Sequence, residues 1–189
     1  MTAYIHPTAL VNPGFVPAPF TIIDEGAAIF ADVTIGSFVR VHAGARIHEG
    51  CAIGDHVTIG GGVELWDGVR VSDFAFVGKP PSRAGETDGG SEPFSGASVG
   101  KDSLVGSHVV IESGATLGQR CLVGDGAGIS EECVLGDNVS IGRSVTLERG
   151  VSVGDGAAIG TGSLITTGAS IAEGQVVAPN TVVTVSERP

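Results

Sequence analysis

Five histidines and three cysteines are the side chains here best suited to proton transfer, metal binding or nucleophilic attack, and their spacing decides what they could do. His6, Asp24 and His42 stand eighteen residues apart, a stack of imidazole and carboxylate that could hold a metal ion or form a solvated hydrogen-bond ladder. Phe20, Phe38, His56 and Phe74 repeat at the same interval, and His108 continues the series if the segment between leaves and rejoins in register. Phe30, His48 and Trp66 make a third series. Cys51, Cys121 and Cys133 are an odd count with no clustered ligand spacing, which argues against a disulfide framework or a zinc knuckle.

The eighteen-residue interval is three turns of a shorter one. From Ile5 an aliphatic residue returns at every sixth position, through Val11, Ile23, Ile29, Ile35, Val41, Ile47, Ile53, Ile59, Leu65, Val71 and Val77, with only Pro17 out of character. Four residues after each comes a mostly small or β-branched side chain, such as Ala27, Val39, Ala45, Val57 and Ala75. Each hexad therefore has one large and one small inward place. All three cysteines occupy the small one, which predicts buried thiols rather than nucleophiles. The pattern breaks over residues 78–97, "GKPPSRAGETDGGSEPFSGA", resumes at Val99 and runs to Val183. Gly often fills the second place, and Gly, Asn or Asp the fourth, where a sharp turn needs permissive backbone angles. Short motifs such as "GDGAG" read as turns of the repeat, not as phosphate loops.

Short strands joined by turns, each burying one large and one small side chain, describe a parallel β-helix of stacked hexapeptides. The sequence resembles the left-handed β-helix, hexapeptide-repeat acyltransferases, in which three hexads make one triangular coil and equivalent residues of successive coils lie roughly 4.8 Å apart. The expected fold is a single all-β domain, a left-handed parallel β-helix over residues 1–189, with one external loop at 78–97. Residues 35–78, ending in "VSDFAFVG", are similar without gaps to the pattern of the UDP-N-acetylglucosamine acyltransferases of lipid A synthesis.

The resemblance implies acyl transfer, with acetyl-CoA as the expected donor, to an amine or hydroxyl of a nucleotide-linked sugar, in clefts between the subunits of a homotrimer. Such chemistry needs a base, an oxyanion donor and an extended groove. The family places a histidine base in the third place of a hexad. Here "ISEECVLG", residues 129–136, carries Glu131 there, a carboxylate that can serve if burial raises its pKa, with Arg149 one coil on as a possible partner. His108, the only histidine after the loop, is the other candidate base, and Phe74 would line the same pocket. Lys79 and Arg83, with Lys101 just after the loop, would hold nucleotide or CoA phosphates. The loop's composition predicts a mobile lid. Phe30, His48 and Trp66 would be an exposed apolar strip on a lone prism and are assigned to the trimer interface, with nucleobase stacking as the alternative.

Ten Lys and Arg against 21 Asp and Glu, a net charge of −11, give no support to a nucleic-acid or anionic-membrane partner, and disfavour an acidic acyl carrier protein as donor relative to CoA. The 31 glycines beside seven Phe, one Trp and one Tyr do not suit an ordinary sandwich or helical core. The opening "MTAYIHPTAL" lacks a signal-peptide pattern and no run is long enough to span a bilayer, so a reduced cytoplasmic setting is expected. A γ-type carbonic anhydrase is disfavoured because His42, His48 and His56 have the wrong spacings for its zinc, and no metal is expected. A non-catalytic scaffold or binding module remains the alternative, supported by the missing third-place histidine. Near the C-terminus Gln175 and Glu187 fall in inward places and Pro189 closes the chain, devices that blunt an open sheet edge.

Overall fold

Each hexad folds into a two-residue strand and a tight turn, because its large residue closes the strand and its fourth residue redirects the chain. The computed structural model describes residues 2–81 and 95–185, so Arg83, Glu187, Pro189 and most of the predicted loop lie outside the described residues. Strands of successive coils stack into three parallel sheets of ten, nine and eight strands. The first face runs from Tyr4–Ile5 to Val182–Val183, the second from Leu10–Val11 to Ser170–Ile171, and the third from Thr34–Ile35 to Val176–Val177. The chain is the left-handed parallel β-helix that the hexads predict. Pro17, the one misfit in the series, sits where the first coil lacks its third strand, since proline has no N–H to donate to the ladder.

Pairing is regular from coil to coil: Ile23 faces Val41, and Val41 faces Ile59. It also survives the insertion, for Glu64 pairs with Ser98, Arg70 with Leu104 and Phe76 with Val110. The large places, including Ile23, Ile47, Ile59, Leu65 and Ile111, are wholly buried, and so are the small places Ala27, Ala45, Cys51 and Val57. Each cysteine turns its thiol to a backbone carbonyl, Cys51 to Trp66, Cys121 to Gly136 and Cys133 to Glu148. Burial pushes the Cys51 and Cys133 thiols up to about 11, so neither is a nucleophile at neutral pH.

From Phe20 to Asn180 the fourth place is left-handed, except at Pro80 where the insertion begins. Even Phe38 (φ +59°), His56 (+57°) and Asn138 (+58°) adopt it, at a cost of roughly 1–2 kcal/mol for a side chain with a Cβ. The second place has its own constraint. A Cβ built on Gly36 would collide with Asp55 of the next coil, whose Oδ1 accepts the Ser37 N–H at 2.7 Å. Gly-Asp steps thus arise from packing between coils. Gln175, on the last described coil, is exposed, and its Oε1 accepts the Ala172 N–H at 2.9 Å beside the terminal strand Ser170–Ile171, a cap on an open sheet edge.

Candidate active site

The first face carries a concavity beside the root of the insertion. Its outward second-place column reads His6, Asp24, His42, Gly60, Gly78, Glu112, so side chains vanish for two successive coils between an imidazole and a carboxylate. The two glycines are obligatory: a Cβ on Gly60 would strike the Gly78 backbone, and Gly78 itself has a φ of +82° with Val63 blocking any Cβ. The result is a notch of about 420 Å³ lined by His42, Gly60, Gly61, Phe76, Pro80 and Ser113. At coil spacing the His42 and Glu112 ends lie about 14 Å apart.

Gly78 also bulges its strand. Phe76–Lys79 is the longest strand, its register shifts between Val77 and Lys79, and Lys79 comes to face Glu112. Ser113 fastens this edge, its N–H donating to Lys79 O at 2.9 Å and its hydroxyl to Gly78 O at 3.0 Å. The chain then leaves the face at the corner toward the second face, so the insertion is rooted beside the notch.

An ionic cluster surrounds that root. Lys79 Nζ lies 3.6 Å from Glu112 Oε1, while Glu112 Oε2 accepts the backbone N–H of Glu131 at 3.2 Å. Burial, reinforced by a shared hydrogen bond and the charge of the Glu131 carboxyl, raises the Glu112 pKa; the Glu131 N–H and Lys79 oppose the rise. Arg149 grips Glu132 through two hydrogen bonds of 2.8 and 3.1 Å and reaches Glu131 at only 3.7 Å, so its main partner is the neighbour of the expected one. At the other end, His42 Nδ1 faces Asp24 Oδ2 at 3.5 Å, and the same oxygen accepts from Arg40 Nε at 3.1 Å. His6 turns instead to Thr8, and among the described residues no three His, Cys, Asp or Glu side chains group as metal ligands.

The predicted site residues occupy three different corners. Lys79 and Glu131 share the corner between the first and second faces, beside the notch. His108 and Phe74 stand on the corner between the third and first faces, where Phe20, Phe38, His56, Phe74 and His108 stack at 4.4–5.0 Å with nearly parallel rings. That column forms as the spacing predicts, but roughly 13 Å of extended chain separates His108 from Glu112 on their shared coil. Lys101 lies on the remaining corner, paired with Asp67 at 3.4 Å. On the second face Phe30, His48 and Trp66 stack at 4.8 Å, with His48 Nε2 2.9 Å from Glu64 Oε1. Phe30 and His48 border a shallow 680 Å³ concavity that also includes Leu10, Ala28 and Arg46. Glu112 escaped the sequence reading; stepping the second place across the insertion in register would have found it.

The chain belongs to the bacterial transferase hexapeptide family. That family's repeat matches residues 32–65 and 132–167, and the hexapeptide repeat of succinyl-transferase matches 96–131, together more than half of the sequence. A UDP-N-acetylglucosamine acyltransferase from Campylobacter jejuni is 25% identical, with a TM-score of 0.72 over 94% of this chain and 66% of its own. LpxA from Acinetobacter baumannii (20% identity, TM-score 0.72, 96% of this chain and 65% of that one) and the UDP-N-acetylglucosamine O-acyltransferase of Moraxella catarrhalis (20%, 0.75, 95% and 66%) share the fold. This chain spans just under two thirds of the length of these three. No curated protein matches it. No helix among the described residues is long and apolar enough to cross a membrane.

Proposed function

We propose that the protein is an acyltransferase that moves an acetyl group from acetyl-CoA to an amine or hydroxyl of a nucleotide-linked sugar. The observation that carries this reading is the glycine notch at the root of the insertion, with the His42 imidazole in its lining and the Lys79–Glu112 pair on the adjoining strands, in a chain of the hexapeptide transferase family. An acceptor laid along the notch would have an imidazole at one end and the Lys79–Glu112–Glu131 cluster at the other. In this reading the protein is a cytoplasmic homotrimer. The Phe30–His48–Trp66 strip supports such self-association, being an apolar surface in which Phe30 and Trp66 remain 37% and 41% exposed. A rotational trimer packs unlike corners of neighbouring protomers together, so the His108 corner of one could complete the Glu131 corner of the next.

A second reading has its own support. Where the family's histidine is expected stands Glu131, next to a Glu132 already held by Arg149, as in a coil kept for structure alone. That favours a non-catalytic scaffold. The two readings separate in an assay of CoA release from acetyl-CoA, with UDP-linked sugars bearing free hydroxyl or amino groups as acceptors. A transferase releases CoA only when the right acceptor is present, and deletion of residues 80–96 abolishes the release. A scaffold releases none with any acceptor.

A further inference from the structure

The geometry points to His42, oriented by Asp24, as the general base of the notch, taking the proton of the acceptor as it attacks the thioester. This assignment rests on the transferase reading above and names a residue within it.

Three features place the base here. First, His42 is the only imidazole among the residues lining the notch. The coil below it offers Gly60 and Gly61, so the space beside the ring stays open, and both side-chain sites that could fill the column are sterically forbidden at Gly60 and Gly78. Second, the ring is held as a base must be held. Nδ1 faces the Asp24 carboxylate at 3.5 Å, and Arg40 fixes that carboxylate from the other side at 3.1 Å. In the neutral ring a proton on Nδ1 is the one the Asp24 carboxylate favours, which leaves Nε2 as the basic nitrogen for the notch. Third, burial and the Arg40 charge push the His42 pKa below the ordinary histidine range, against the smaller pull of Asp24, so the imidazole is neutral at physiological pH. Arg40 and Asp24 are the charged groups facing it from its own strand and from the coil before; the coil after contributes only glycines.

The step balances without any further reagent. Nε2 takes the proton of the acceptor hydroxyl or amine while its oxygen or nitrogen bonds to the acyl carbon. The C–S bond then breaks, and the imidazolium returns the proton to the departing CoA sulfur.

The test is steady-state kinetics of His42→Gln, Asp24→Asn and His6→Gln against pH, with acetyl-CoA and a UDP-linked sugar, alongside the thermal shift each variant shows with acetyl-CoA alone. The wild-type kcat/KM should rise with pH through a single inflection below about 6.5. His42→Gln should lose about a hundredfold or more in kcat, lose the inflection, and keep the acetyl-CoA thermal shift. Asp24→Asn, a change in a positioning residue, should lose about tenfold and move the inflection to lower pH, a displacement that a merely structural role would not produce. It also carries the test should His42→Gln fail to fold. His6→Gln, in the same column but away from the notch, should match the wild type. An active wild type whose His42→Gln variant keeps its turnover and its inflection overturns the assignment while leaving the transferase reading intact. A wild type that releases no CoA with any acceptor overturns both.

Discussion

The backbone N–H of Glu131 donates to Glu112 Oε2 at 3.2 Å, tying two successive coils together beside the root of the insertion. The contact sets two acids against each other where burial already disfavours charge. It leads to a prediction about pH. The folded chain holds the Glu112 pKa above its unfolded value, so the group favours folding below the ordinary carboxyl range and opposes it as pH rises through the elevated value. Glu112→Gln keeps an acceptor for the Glu131 N–H and removes the charge. Its melting temperature should exceed that of the wild type at pH 7.5, and the two should converge near pH 4, as thermal melts across that range would reveal.

The notch makes demands on backbone space. Gly60→Ala places a methyl group against the Gly78 backbone, whereas a Cβ on Gly128 of the same face meets nothing within 4 Å. Urea unfolding should show Gly60→Ala destabilised by about 1–3 kcal/mol or more. Gly128→Ala should be neutral or stabilised by up to about 1 kcal/mol.

The corner ladder balances strain against stacking. Phe38 holds a φ of +59° while its ring stacks on Phe20 at 4.4 Å and on His56 at 4.7 Å. Phe38→Ala keeps the strain and loses both contacts, at roughly 0.5–1.5 kcal/mol each. Phe38→Gly loses the contacts but relieves the strain, so it should be the more stable of the two by about 1 kcal/mol. The opposite order would mean that the ladder is not strained at this residue.

The thiols should be inert. Burial holds Cys51 and Cys133 near 11, so iodoacetamide at pH 8 should leave the native protein unmodified and alkylate all three cysteines once it is unfolded in guanidinium.

The hexad made the fold legible because its two inward places differ in size and its fourth place must turn. Ile59 beside Val63, with Gly62 between them at φ +63°, states the whole rule in five residues. The aromatic columns were legible for the same reason, down to His108 stacking under Phe74. The site was harder to read. Lys79, Lys101 and His108 were grouped because they lie near the insertion in sequence, and Glu131 because it stands in the place of the family's histidine, yet each hexad carries the chain to another face, and these four end on three corners. Glu112 was missed because the second-place column was not carried across the insertion as the aromatic column was, although the register is kept there.

The most direct test of the account is the melting temperature with and without saturating acetyl-CoA. A ligand at 100 times its dissociation constant stabilises the folded state by about 2.7 kcal/mol, which for a chain of this size is an upward shift of roughly 5–10 °C. The account predicts that shift, and a larger one when the right UDP-linked sugar is added. An unchanged melting temperature at millimolar acetyl-CoA would contradict it and turn the search to longer acyl donors and acyl carrier proteins, and then to the scaffold reading.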